Sequence, residues 1–193
     1  MKSLGSEPRV AEKTKVKINL IPHYYANIEQ FWDQYSALEG KFRQSLGLPK
    51  GSRDIETLRG QIQRRSRANI LAYSGSSILG FRRMSFSGHT ISLGAVYVEP
   101  ECRDTSYELN ENFRFTTEHS SKLWQILTKA GYLLGRKGGY DTIEAFNHNR
   151  HGERIKKWVE KVHSKWDEEE SQPNNQNSYP TEFINFLVST KIS

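Results

Sequence analysis

The chain has 193 residues, 35% hydrophobic and 26% charged, with 28 Lys and Arg against 22 Asp and Glu, one cysteine and a net charge of +6. That size and composition fit one globular domain and exclude wholesale disorder; the longest apolar stretches, 91–98 and 183–188, fall far short of the roughly 20 residues that cross a bilayer. A lone Cys102 excludes an internal disulfide and a cysteine-rich zinc site and points to a reducing cytoplasm, while the positive balance favours anionic partners without choosing among nucleic acid, nucleotide cofactors and acidic proteins.

Residues 1–15 are polar and aperiodic and read as a flexible tail ahead of a single domain over 16–193. Val16, Ile18 and Leu20 alternate with polar residues, which predicts a short strand closed by Pro22. Ile28, Phe31, Trp32, Tyr35, Leu38 and Phe42 fall at helical spacing, broken up by Gly40 and ended by Gly47–Gly51. Ser52 or Asp54 can cap a second helix with Ile55, Leu58 and Ile62 on one face and arginines crowding its end. Residues 70–73, 78–86 and 91–98, separated by Ser/Gly turns, predict an antiparallel meander.

Residues 101–110 read as a loop, and Glu111–Thr116 as a strand with Phe113 and Phe115 on one face. Leu123, Ile126, Leu127, Ala130, Leu133 and Leu134 make a long helical stripe, with Ser120 or Ser121 as N-cap and Gly138-Gly139 as stop. Tyr140–Phe146 then reads as a strand. A crossover of this kind predicts that Phe113 and Ile143 lie on neighbouring parallel strands. A helix bearing Ile155, Trp158, Val159 and Val162 follows, then an exposed loop over 167–178 and a final strand over 182–190.

Few residues announce chemistry by themselves. His148-x-x-His151 sits at a strand-to-helix turn without nearby cysteines, so no metal is expected. Cys102 has no identifiable basic partner, and Trp124, Trp158 and Trp166 fall on apolar stripes and read as core. Arg59, Arg64, Arg65, Arg67, Arg82 and Arg83 could together face nucleic acid or an acidic protein, although no nucleic-acid motif accompanies them.

The order strand, two helices, antiparallel strands, helix, parallel strand, helix, strand resembles the GNAT N-acetyltransferase superfamily, over about residues 16–190. The stretch from Glu111 to Asn149, ENFRFTTEHSSKLWQILTKAGYLLGRKGGYDTIEAFNHN, carries the resemblance. It implies an α/β fold with a mixed central sheet flanked by helices, and an N-acyltransferase that takes an acetyl or longer acyl group from an acetyl-CoA or acyl-CoA co-substrate and gives it to an unidentified amine. Glycine-poor loops also occur in the acyl-homoserine-lactone and N-acyl amino acid synthase branches, where acyl carrier protein can be the donor.

Carried over residue by residue, Phe113, Arg114 and Phe115 would offer backbone to the pantetheine. His119, Ser120, Ser121 and Lys122 would hold the pyrophosphate at a helix N-terminus, with Asn149 after the next strand. The loop of this chain, His119 to Trp124, contains no glycine, whereas the family's is glycine-rich. A second register places the donor on Val96–Asp104, whose Pro100-x-x-Arg103 is similar to the family's strand exit, with about sixteen residues before the helix; the ungapped register is preferred. Glu111 is the expected general base. The family's tyrosine acid has no counterpart between Tyr140 and Tyr179, which leaves Lys156 or His151 as substitutes.

Overall fold

The structure, a computed structural model, describes residues 15–48, 52–110, 113–114, 122–145 and 150–191. β1 (Val16–His23), α1 (Ile28–Ser45) and α2 (Ser52–Gln63) lead into a meander of β2 (Arg67–Ser74), β3 (Ser77–Ser87) and β4 (Thr90–Val98). A 3-10 turn at Pro100–Cys102 and β5 (Tyr107–Leu109) precede α3 (Leu123–Lys137), β6 (Thr142–Ala145), α4 (Arg150–Ser171) and α5 (Thr181–Lys191). The sheet order is β5-β1-β2-β3-β4-β6, antiparallel from β1 to β4 and parallel where β5 joins β1 and β6 joins β4.

β2 is buried from Ala68 to Tyr73 because helices cover both faces of the sheet. Leu71 and Tyr73 point to α1, packing with Ile28, Trp32, Tyr35 and Phe81, while Ile70 and Ala72 point to α3 with Met84, Ile91 and Leu93. α3 lies close on the sheet through small residues. A Cβ at Gly135 would stand 2.9 Å from Ile143 Cδ1 and 3.1 Å from Ile91 Cδ1, so this glycine sets how near the helix comes to β4 and β6.

Several elements differ from the sequence expectation. The last element is α5, not a strand: Phe183, Phe186 and Leu187 recur at helical spacing and pack under Tyr24. The acidic run expected as a loop is the last turn of α4, held on α3 by Asp167–Arg136, Glu169–Lys129 and Glu170–Lys137 pairs. Residues 101–110 contain β5, parallel to β1 with Tyr107 opposite Val16. Gly40 does not interrupt α1, because neighbouring Leu38 and Glu39 anchor that turn in the core. β1 runs through Pro22, paired with Ile70, to His23.

The parallel partner of β6 is also corrected. Ile143 is in register with Ile91 of β4, not with Phe113, and Leu93↔Ala145 is the last pair described. β4 is therefore the strand that carries the crossover through α3 into β6, which is the second of the two registers read from the sequence.

Candidate functional site

β4 carries a bulge where its described pairing with β6 stops. Met84 faces Leu93 and Arg82 faces Val96, so Gly94 and Ala95 together oppose the single residue Arg83. A bulge increases local twist and bends the bulged strand, here directly after the Leu93↔Ala145 pair, the last among the described residues. Beyond it β4 continues through Val96 and Tyr97 to the turn Pro100–Cys102, and Arg103 Nε donates to the Val98 carbonyl at 3.1 Å. Glu99, buried at the strand end, accepts from Tyr97 Oη at 3.3 Å and from Lys41 Nζ. Burial, followed by the Glu99 charge, pushes the Tyr97 phenol up.

Arg82 and Arg83 leave β3 to opposite faces. Arg82 is fully buried beneath α3, and its Nη2 donates to the Leu93 carbonyl at the bulge, 2.9 Å away. Its Nε and Nη1 have no hydrogen-bond partner. Burial lowers its pKa to about 9, so it remains a cation at neutral pH. Arg83 turns to α1 and pairs with Glu39, a carboxylate only 1% exposed that also accepts from Arg43 Nε at 3.1 Å and Tyr35 Oη at 3.4 Å. Desolvation pushes Tyr35 up to about 12.

On the same face His23 is wholly buried, with Nε2 3.3 Å from the Ile28 carbonyl and Nδ1 3.1 Å from Asn69 Nδ2. Nε2 donates and Nδ1 accepts from the amide, so the imidazole is neutral, and burial lowers its pKa to about 4.

Among the residues singled out from the sequence, Glu111, Phe115, His119, Ser120, Ser121 and Asn149 lie outside the described residues. Phe113 is 1% exposed and packs edge-on against Tyr179, with ring centroids 5.7 Å apart. The Arg114 N–H and carbonyl are both bonded to Ser178, at 3.2 and 3.1 Å, so its backbone is already engaged. Lys122 is the N-cap of α3, where its N–H donates to Gln125 Oε1 at 3.1 Å and its ammonium lies 3.6 Å from Asp104. Lys156 is exposed, Cys102 is buried, and no metal-binding cluster is found among the described residues.

The six arginines do not form one surface. Arg82 is buried on the face opposite Arg83, and Arg59 and Arg83 are paired with Glu29 and Glu39. Sequence reading missed the Glu39 cluster. Its signal is an acid on the apolar stripe of α1, four residues after Tyr35 and seven after Trp32.

No family description matches this chain, and no curated protein matches it. Solved structures do. A predicted acetyltransferase from Clostridium acetobutylicum with acetyl-CoA is similar over 74% of this chain and 88% of its own, at 10% identity and a TM-score of 0.53. An aminoglycoside acetyltransferase from an uncultured soil metagenomic sample, in complex with sisomicin, covers 75% and 86% at 9% identity and a TM-score of 0.51. A ribosomal-protein-alanine N-acetyltransferase from Brucella melitensis covers 74% and 89% at 10% identity and a TM-score of 0.50. At these identities the likeness concerns the backbone: the chain has the GNAT acetyltransferase fold.

Proposed function

We propose that the chain is an N-acyltransferase that moves an acetyl or longer acyl group from a CoA or acyl-carrier-protein thioester to an amine. The observation that carries this reading is the parallel β4/β6 pair, in register from Thr90↔Thr142 to Leu93↔Ala145 among the described residues, with the β4 bulge directly after Leu93. A strand edge left by its neighbour presents a row of N–H and carbonyl groups, and the two amides of a pantetheine arm can bond along it like an added strand. The first turn of α3, from Leu123, offers helix N–H donors and the positive dipole end for a pyrophosphate, with Lys122, whose ammonium lies 3.6 Å from Asp104, and Ser120, Ser121 and His119 just before it in sequence. The solved relative with acetyl-CoA at a TM-score of 0.53 supports a thioester donor.

In the reaction the amine nitrogen attacks the thioester carbonyl, the C–N bond forms, and the C–S bond breaks. The amine proton passes to a base and a proton returns to the departing thiolate, giving an amide and a free thiol. A β4 N–H beside the bulge holds the developing oxyanion. Glu111 is the base in this account, and Glu99, buried at the end of β4 against Tyr97, is its rival. The test is thiol release from acetyl-CoA with a panel of amines: Glu111→Gln is expected to lower kcat by about 100-fold with donor affinity intact. Unchanged turnover in Glu111→Gln, with loss in Glu99→Gln, transfers the role to Glu99.

A further inference from the structure

We infer that the acceptor amine carries a carboxylate, held by Arg67 and Arg83 on the α1 face of the sheet beside the β4 bulge. This rests on the acyltransferase reading and names the substrate class for the same site.

Asn69 stands opposite Arg83 and Ser85 opposite Arg67 in the β2/β3 register, so the four side chains share a face. That face is the α1 face, because Asn69 bonds His23 and Arg83 bonds Glu39. Arg43 and Arg83 share Glu39 there, and Arg83 acts on Arg67. Arg43 is matched by Glu39 and Asp54, at 3.1 and 3.0 Å, and Arg83 shares Glu39. The Arg67 side chain, half-buried, has no hydrogen bond or ion pair among the described residues, and the Arg83 Nε is buried without a partner. Burial, and then repulsion from Arg83, outweigh the attraction of Tyr35 and Glu39 and depress Arg67 below the usual arginine range.

A half-buried cation whose nearby carboxylate, Glu39, is already paired with two other arginines is unfavourable by itself and becomes favourable when an anion enters. A guanidinium presents a planar fork that matches a carboxylate in two parallel hydrogen bonds. Ser85 and Ser92, paired across β3 and β4 on this face, add neutral hydroxyls, and Glu144, the next carboxylate in register with Ser92, is exposed at the outer strand.

The location ties this cation to the reaction. A Cβ built on Gly94 would lie 3.8 Å from Arg83 Cβ and 3.9 Å from its Cδ, so Arg83 runs alongside the bulge. A carboxylate gripped there leaves an amine two or three bonds from the carboxyl carbon, on the side of the β4 edge that the thioester would occupy. The same charge repels a polycationic acceptor.

Two measurements test this separately from the acyltransferase reading. Without donor, an N-acetylated amino acid, the product analogue, is expected to raise the melting temperature of the wild type and not of Arg67→Gln. No rise in the wild type, an equal rise in both, or a rise with inorganic phosphate but not with the carboxylate overturns the proposal. With acetyl-CoA, methionine and phenylalanine are expected to exceed their carboxamides in kcat/KM by at least about tenfold, a preference that Arg67→Gln abolishes. A preference for the carboxamides or for spermidine, or an unchanged preference in Arg67→Gln, overturns it. If neither acetyl-CoA nor a long-chain acyl-CoA binds or reacts while the carboxylate still stabilises the fold through Arg67, the acyl-CoA reading fails and the anion site stands.

Discussion

Acidification should weaken the fold through one histidine. His23 is wholly buried, its Nε2–H directed to the Ile28 carbonyl and its Nδ1 bonded by the Asn69 amide, so no acceptor is left for a second proton. Its pKa falls from 6.5 to about 4, chiefly through burial. Between those values the unfolded chain binds the proton and the folded chain does not, so stability rises with pH and is lost as pH falls. The full loss, reached below the folded pKa, is about 3 kcal/mol from the 1.36 kcal/mol carried by each pKa unit, and about 2 kcal/mol of it is gone by pH 5. Guanidinium denaturation at pH 7 and pH 5 measures it. His23→Gln, which keeps a donor and an acceptor but does not titrate, is the control, and the wild type should lose about 2 kcal/mol more than the variant over that interval. Equal losses in both proteins would refute the assignment, because other titrating groups would then carry the whole effect.

Three further outcomes follow from the packing. Gly80→Ala puts a Cβ 2.5 Å from the Tyr97 carbonyl oxygen, a backbone atom that cannot turn aside, and should cost about 2–3 kcal/mol in thermal or chemical denaturation. Glu39→Gln removes the carboxylate between Arg43 and Arg83 and should cost about 3 kcal/mol; an effect below about 0.5 kcal/mol would mean that the two arginines reach water in its absence. Arg82→Met replaces a buried cation with one bonded Nη2 by an apolar chain of similar length, and stability should hold or rise; a fall of more than about 2 kcal/mol would show that the bond to Leu93 outweighs desolvation.

Much of the fold was legible because periodicity reports burial directly. The alternation in β1 and the stripe in α3 gave those elements nearly to the residue, and Gly138-Gly139 marked the end of α3. Errors arose where tertiary partners decide the outcome. The acidic 167–171 run is helical because Lys129, Arg136 and Lys137 stand opposite it, and no local pattern encodes that. The final helix is rich in Phe, Ile and Val and so reads as a strand, yet Phe183, Phe186 and Leu187 follow helical spacing. The parallel partner of β6 was misassigned for a related reason. Residues 99–122, with β5 paired to β1, separate β4 from α3, so contiguity in sequence favoured the segment nearest the helix. Glu39 and Arg83, 44 residues apart, meet only in the fold.

The central claim is that the β4 edge beside the bulge receives an acyl-CoA donor. Calorimetric titration with acetyl-CoA and then a long-chain acyl-CoA tests it without knowledge of the acceptor. The account predicts saturable binding with one donor per chain, weakened when Ser120 and Ser121 are both replaced by proline, which removes N–H groups before α3. Absence of binding for both donors in a folded protein would contradict it.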